Sequence, residues 1–478
     1  MSHISSFVCR YNVKLMKLSL FKNILLLSVI GVFLSSCNKD EALPAIDPTS
    51  NAAVNRWIID IMDEVYYWLG DLGTPISEDA DPEDYFEALL FRPTDRFSVI
   101  YPDYQELINS LNGISLETGY EFILYRESAS SDKVFAEITY IKKNSPASAV
   151  DLKRGDRIRS INGTLFTVDN FRDVLGLTES THSLEYTRYD EASNQFVEKP
   201  SVTLTPIQLS EDPNFLDTIY TINNEKIGYV IYHFFTPGPG NGSTQFDNEM
   251  DAIFGKFKSE SIDHLIVDLR YNGGGFVSSA VNLASLIGPG VSTTDIFSKT
   301  KYNSFIAEQI PELRDVKTTF KAKAENLGNT LDGNRVYILT SNRTASASEL
   351  IINGLKPYMD VFLIGNTTTG KNVGSIPFED EDNPDNKYGI LPIVTQSFNS
   401  LDQSDYTTGF NPNVVALESA ELLLPLGDIN EQLLRKAITQ ITGTTPSGRI
   451  LKSERLDVAS SLDHKIRTGR MIENTIIK

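Results

Sequence analysis

The sequence predicts a multidomain α+β chain: a helical N-terminal region, a β-rich middle and an α/β core built on a buried parallel sheet. Three observations carry this. Apolar residues recur at helical spacing from Asn51 to about Asn112, as in "VNRWIIDIMDEVYYWLGD". Short alternating runs punctuated by Gly, Asn and Ser fill Gly119 to about Pro206. From Glu225 to about Leu424, continuous apolar β-rich runs alternate with helix-compatible stretches, the pattern of strands covered on both faces.

The chain has 478 residues, and the N-terminal stretch reads as a targeting segment. Lys14, Lys17 and Lys22 precede the apolar run Ile24–Leu34, too short to span a bilayer but suited to a signal peptide, with Met16 the more natural start. Leu34-Ser35-Ser36-Cys37 resembles a bacterial lipobox, which implies lipidation of Cys37 and anchoring to the outer membrane, on its periplasmic or surface face. Lys39, Asp40 and Glu41 behind it resemble the surface-export signal of Bacteroidetes lipoproteins. The ranges expected are 1–37 signal peptide and lipobox, 38–50 tether, 51–117 helical domain, 118–206 β domain, 207–443 core and 444–478 a polar surface arm. About 440 residues beyond the signal are ample for two to four domains.

Cys9 leaves with the signal and Cys37 carries lipid, so no thiol remains for disulfides, a Cys-based zinc site or a cysteine nucleophile. Loss of Arg10, Lys14, Lys17 and Lys22 takes the formal charge from −20 to −24, which disfavours nucleic acid and anionic membrane surfaces. No pair of His182, His233, His264 and His464 has metal-ligand spacing, and no metal or other cofactor is expected. His233 and His264 sit in strand-like runs, where packing or surface roles are the simpler reading.

Element by element, Trp57, Ile58, Ile61, Met62, Val65 and Leu69 fall on one helical stripe, and Asp81 caps a second helix. "SPASAVDLKRGDRIRSINGT" (Ser145–Thr164) resembles the centre of a PDZ domain. By that resemblance, Gly119, Tyr120, Glu121 and Phe122 form a carboxylate-binding loop and peptide-pairing strand. In the core, "KIGYVIYHFF", "HLIVDLR", "RVYILTS" and "VFLIGN" are the expected strands, and Leu426–Gly443 a closing helix. Asp268 and Arg270 are expected to fix a strand end.

"GNTTTGKN" (Gly365–Asn372) approaches a phosphate-binding loop, but Asn372 replaces the magnesium-binding hydroxyl and no helix-compatible segment follows. Twenty-five residues earlier, "SNRTASASELII" turns a strand into a helix, with Ser348 the expected N-cap. A serine at such a corner lies beside N–H groups able to hold an oxyanion, and Lys371 can return beside it as a base. To act so, Lys371 must be neutral, which calls for a buried pocket free of carboxylates, with the acidic run after Phe378 turned away.

"VDLRYNGG", "ASASE" and "TTTGKN", with "PTDRFSVI" upstream, resemble the C-terminal processing peptidases, or tail-specific proteases. The resemblance spans about Asn51–Gly443 and implies an α/β protease core of the ClpP/crotonase-like type. It implies Ser346 as nucleophile, Lys371 as general base, and oxyanion donors at Ala347 and at Gly273 or Gly274. Ser375 stands where the family often has a glutamine that orients the lysine. The implied partners are protein or peptide substrates, recruited by their tails. The alternative is a catalytically inactive peptide-binding lipoprotein that keeps the protease fold.

Overall fold

The computed structural model describes residues 47–473 apart from 241, 447, 449–451 and 453–454; the signal peptide, Cys37 and most of the tether lie outside the described residues. No helix among the described residues is long and apolar enough to cross a membrane.

The N-terminal region opens with α1 (Asn51–Val65), capped by Ser50, and α2 (Pro82–Leu89), capped by Asp81. Ile58, Met62 and Val65 form the buried stripe of α1, whereas Leu69 lies beyond its end. Strand β1 (Val99–Tyr101) and helix α3 (Tyr104–Leu111) follow.

The β-rich middle holds β2 (Ile114–Glu117), β3 (Tyr120–Arg126), β4 (Val134–Ile141), β5 (Arg157–Ile161), the short α4 (Phe171–Gly176) and β6 (His182–Asp190). Asn162 and Gly163 both take positive φ, 51° and 76°, as the Asn-Gly turn after β5 requires. β7 (Ile207–Ser210) pairs with β2.

The core comprises β8 (Asn214–Ile222), β9 (Glu225–Tyr232), α5 (Gln245–Ser259), β10 (His264–Asp268), β11 (Gly274–Phe276), α6 (Val277–Ile287), β12 (Ile296–Tyr302) and β13 (Val316–Thr319). It continues with β14 (Arg335–Thr340), α7 (Ala347–Leu355), β15 (Asp360–Gly365), β16 (Val373–Ser375), β17 (Gly389–Leu391), β18 (Ile393–Phe398), β19 (Val414–Val415) and α8 (Gln432–Thr442). One six-stranded sheet runs β8-β9-β10-β14-β15-β19, parallel from β9 onward. Val230, Val267, Ile338 and Leu363 bury one face of it against α5, α6 and α7. Tyr229, Ile266, Leu339 and Ile364 bury the other against Leu433, Leu434 and Ile438 of α8. This two-sided burial is why these strands read as unbroken apolar runs.

Two further strands, β20 (Leu456–Ser460) and β21 (Arg470–Ile472), correct the expectation of a surface arm. β20 pairs antiparallel with β3, and β21 lies inside a second six-stranded sheet of order β11-β21-β16-β18-β12-β13. Met471 is 0% and Ile472 2% exposed. Strand pairing also crosses the expected ranges elsewhere: β1 pairs with β17, and β2 with β7.

Candidate active site

The parallel strands end on one side of the sheet, and the chemistry-bearing residues collect there. After β14, Ser341 to Thr344 make a tight turn pinned to the end of β10: Thr344 Oγ1 donates to Leu269 O at 2.9 Å, and Ser341 Oγ to Arg270 O. Asn272 then joins this corner to the glycine strand. Its carbonyl accepts from Ala345 N–H at 3.1 Å and from Ser348 Oγ at 3.0 Å. Its side chain accepts from Gly274 N–H and donates to Tyr232 O, both at 2.9 Å.

Ser346, not Ser348, is the N-cap of α7; Ser348 lies within the first turn and is held to Asn272. Ser346 takes φ 63° and ψ −114°, a conformation rarely adopted by a residue with a Cβ, which stores about 1–3 kcal/mol and presents the side chain sharply off the strand. The residue is fully buried, and its Oγ has no hydrogen-bond partner among the described residues. The glycine strand comes very close: a Cβ on Gly274 (φ 110°) would lie 2.7 Å from Ser346 Cβ. Only glycine fits there.

Lys371 follows β15 and a loop closed by Gly370 (φ 87°), where a Cβ would meet Thr407 O at 2.3 Å. Lys371 is 0% exposed. Burial, and then the charge of Arg470, push its amine well below the usual lysine range, opposed by Asp95 and Glu349. The pocket is therefore not free of carboxylates, contrary to the sequence expectation. Glu349 is occupied instead by hydrogen bonds: its carboxylate accepts from Ser346 N–H (2.8 Å), Thr368 Oγ1 (2.6 Å), Gly370 N–H (2.7 Å) and Lys371 N–H (2.8 Å). One side chain thus ties the serine corner to the lysine loop. The acidic run after Phe378 is not among the influences on Lys371.

Lys371 Nζ donates to Gly469 O at 2.7 Å and lies 4.9 Å from the Phe97 ring centroid. No hydrogen bond joins it to Ser346 Oγ or Ser375 Oγ, and Ser375 Oγ is likewise buried without a partner among the described residues. Instead, "PTDRF" reaches the site, with Arg96 Nη2 donating to Gly370 O at 3.2 Å. The position of Lys371 beyond a strand and between glycines was legible; the chamber around it, from Phe97 to Gly469, was not.

Among the remaining expected residues, Ala347 heads α7 directly behind the serine, Gly274 lies across from it, and Gly273 lies against Thr468 and Gly469. Gly119 (φ 85°), Tyr120, Glu121 and Phe122 line a cavity of about 480 Å³ with Arg172, Leu175 and Lys465. Arg270 does fix a strand end: burial opposes its charge, but Asp268 (2.8 Å), Glu431 (2.6 Å) and Glu418 (3.0 Å) outweigh that. His233 is a packed side chain, its ring centroid 3.9 Å from that of Tyr140 and 4.6 Å from that of Phe215. At the opposite end of the parallel strands, Glu225, His264 and Asp332 bring ligand-type atoms within 4.8 Å of one another, a grouping sequence spacing did not show. Sequence reading missed Glu349 and Asn272 as positioning groups; the S-x-x-E pattern of a capping box at Ser346–Glu349 was the available signal for the first.

Residues 226–416 match peptidase family S41, and residues 53–99 match the peptidase S41 N-terminal domain. A carboxyl-terminal-processing protease of Picosynechococcus is 23% identical over 239 residues, 49% of this chain and 50% of its own length. A CtpA-like serine protease of Staphylococcus epidermidis is 28% identical over 201 residues, 41% of this chain and 37% of its own. The chain thus spans half or less of the length of these curated relatives. A crystal structure assigned to an S41 protease of Bacteroides fragilis superposes with a TM-score of 0.68 at 27% identity, covering 82% of this chain and 98% of that one. By these matches and this shared fold, the chain carries a peptidase family S41 domain preceded by an S41 N-terminal domain.

Proposed function

We propose that the chain is a serine-type endopeptidase working through Ser346 and Lys371. The observation that carries this reading is the sharing of one buried carboxylate, Glu349, by the strained serine corner and a desolvated lysine. A neutral Lys371 takes the proton from Ser346 Oγ as the oxygen attacks a peptide carbonyl. The resulting oxyanion lies against N–H groups at Ala347 and the glycine strand. Gly274 N–H already donates to Asn272 Oδ1, so Gly273 is the simpler second donor. Lys371 then protonates the leaving amine, and water resolves the acyl-enzyme by the same route in reverse. Ser346→Ala and Lys371→Ala should each abolish cleavage of a disordered protein while thermal unfolding is retained. Undiminished cleavage by either variant would remove that residue from the mechanism.

The β-rich middle is read as a PDZ domain that takes substrate tails at Gly119–Phe122, supported by the positive φ of Gly119 and the cavity beside it. Ser375 in place of the family's glutamine, and the missing Ser346–Lys371 bond, favour one second reading, an inactive peptide binder. A fluorophosphonate adduct on Ser346, seen as a mass shift, excludes that reading. Lipid anchoring at Cys37 is part of the proposal, and fatty-acid labelling lost in Cys37→Ala tests it.

A further inference from the structure

The last described residues fill two places where a peptide would dock. β20 runs antiparallel along the outer edge of β3, from Leu456 opposite Arg126 to Ser460 opposite Ile123, advancing toward Gly119. Phe122 N–H donates to Ser461 Oγ at 2.9 Å, and Val458 and Ala459 pack on the core of that domain. Strand addition at such an edge is how an extended ligand gains main-chain hydrogen bonds.

The chain then turns and enters the catalytic cleft. Gly469 N–H donates to Gly273 O at 2.8 Å, while Gly469 O accepts from Lys371 Nζ at 2.7 Å. Arg470 lies opposite Gly274, and Ile472 opposite both Phe276 and Ser375. Glu473 N–H donates to Ser375 O at 3.0 Å. In this sheet β11 and β16 pair with β21 and not with each other. Removing β21 leaves a slot one strand wide, with the glycines beside Ser346 on one wall and the strand after Lys371 on the other. Met471 and Ile472 fill apolar pockets along it, and Ser397 Oγ touches Met471 Sδ at 3.2 Å.

We propose that this slot is the substrate groove and that residues Leu456–Glu473 are its occupant in cis, closing the resting enzyme. The groove takes an extended polypeptide with a small residue against Lys371, then a long donor side chain in the place of Arg470, which reaches Phe97 O, then two large apolar side chains in the places of Met471 and Ile472. This deepens the peptidase reading and rests on it. The occupant also accounts for the resting geometry: Lys371 Nζ donates to a tail carbonyl and is held in that direction, and Ser346 Oγ has no partner among the described residues. Displacement of the tail frees the amine for the hydroxyl.

The test uses the full-length chain and a synthetic peptide of residues 456–473. A tethered occupant acts at an effective concentration of order millimolar, so the peptide is used at several times that. Hydrogen exchange should show the amides of residues 469–473 losing protection as free peptide takes their place. In full-length Met471→Asp, fluorophosphonate labelling of Ser346 and cleavage of a disordered protein should rise about tenfold, and free peptide should reverse the rise. Full protection of the tail amides under excess peptide overturns the proposal, as does loss of activity in Met471→Asp with unchanged thermal unfolding; β21 is then a fixed strand of the sheet. If Met471→Asp fails to fold, exchange in the unsubstituted chain still decides. If no form cleaves anything, the peptidase reading fails, while peptide exchange still reports on the groove.

Discussion

Two buried lysines of this molecule meet opposite fates. Lys142 and Lys371 are 2% and 0% exposed, so desolvation opposes the charge on both. Around Lys142 stand Glu117 at 2.7 Å, Glu121 at 2.8 Å and Glu211 at 2.8 Å, and together they outweigh burial and hold the ammonium well above its usual range. Around Lys371 the hydrogen-bond partner is a carbonyl, the nearby Glu349 is already engaged by four donors, and Arg470 adds like charge. Burial then wins and the amine is pushed well below its usual range. The difference teaches that the partners, not the depth, decide whether a buried lysine is structural or available as a base.

Exchanging each lysine for a methionine breaks the comparison most severely. Lys371→Met should keep or improve stability and lower cleavage by about 10³-fold, the scale of a lost general base. Lys142→Met removes the cation that three carboxylates share, leaving them with Lys465 and Arg467 at one side, and should destabilise by about 3–5 kcal/mol, read by denaturant unfolding. Their pH slopes also differ in sign. The stability contributed by Lys142 is present below the unfolded lysine pKa and is lost as pH rises through its raised folded value. Lys371 binds its proton more weakly when folded, so its contribution grows as pH rises from its lowered folded value toward that of the unfolded chain. Equal stability loss in the two variants would sink the distinction.

Glu349→Gln gives a smaller effect, and it sharpens the claim about partners. An amide cannot accept from all four donors, so the serine corner and the lysine loop lose part of their common tie. Turnover should fall about 100-fold, the consequence of a misplacement near 1 Å. Because Glu349 favours the charged form of Lys371, its neutralisation should also move the rising limb of the pH–rate profile to lower pH. A purely structural role would lower turnover without moving that limb.

How much of this was legible in the sequence follows from what each part depends on. The parallel strands announce themselves because two-sided burial demands apolar residues at nearly every position, as in "HLIVDLR". Ser346 and Lys371 were reachable because a strand-to-helix corner and a glycine-flanked lysine have local signatures. The S-x-x-E pattern could have separated Ser346 from Ser348 as the cap, but two serines in "ASASE" make the local signal ambiguous. The tail left no such trace. "RTGRMIEN" has two adjacent apolar residues in a polar setting, and only pairing with Gly274–Phe276 and Val373–Ser375, about 100 to 200 residues away, makes it a strand. Asn272 was invisible for the same reason: its partners come from the end of β9, the start of β11 and the first turn of α7.

The smallest expected effect sits at the end of that tail and tests the partner argument on an acid. Glu473 is buried, with Thr395 Oγ1 donating to it at 3.0 Å and no cation among the influences on it. The other groups it meets are neutral: Gly374 lies against it, and its charge is felt at Tyr302 and Tyr406. Desolvation therefore raises its carboxyl from 4.5 to about 7, only partly offset by Thr395. Docked, the tail holds this proton more tightly than it does free in water. Its docking is thus fully favoured below the free value near 4.5, weakens as pH rises toward about 7, and stays weakened above that. Hydrogen exchange of residues 469–473, corrected for intrinsic rates, should show protection falling across this window. Glu473→Gln should flatten the dependence and hold the tail at neutral pH at least as firmly as at pH 5, with cleavage correspondingly slower. A dependence unchanged by the substitution would assign the pH response to another group and leave Glu473 a packed, protonated side chain without influence on the groove.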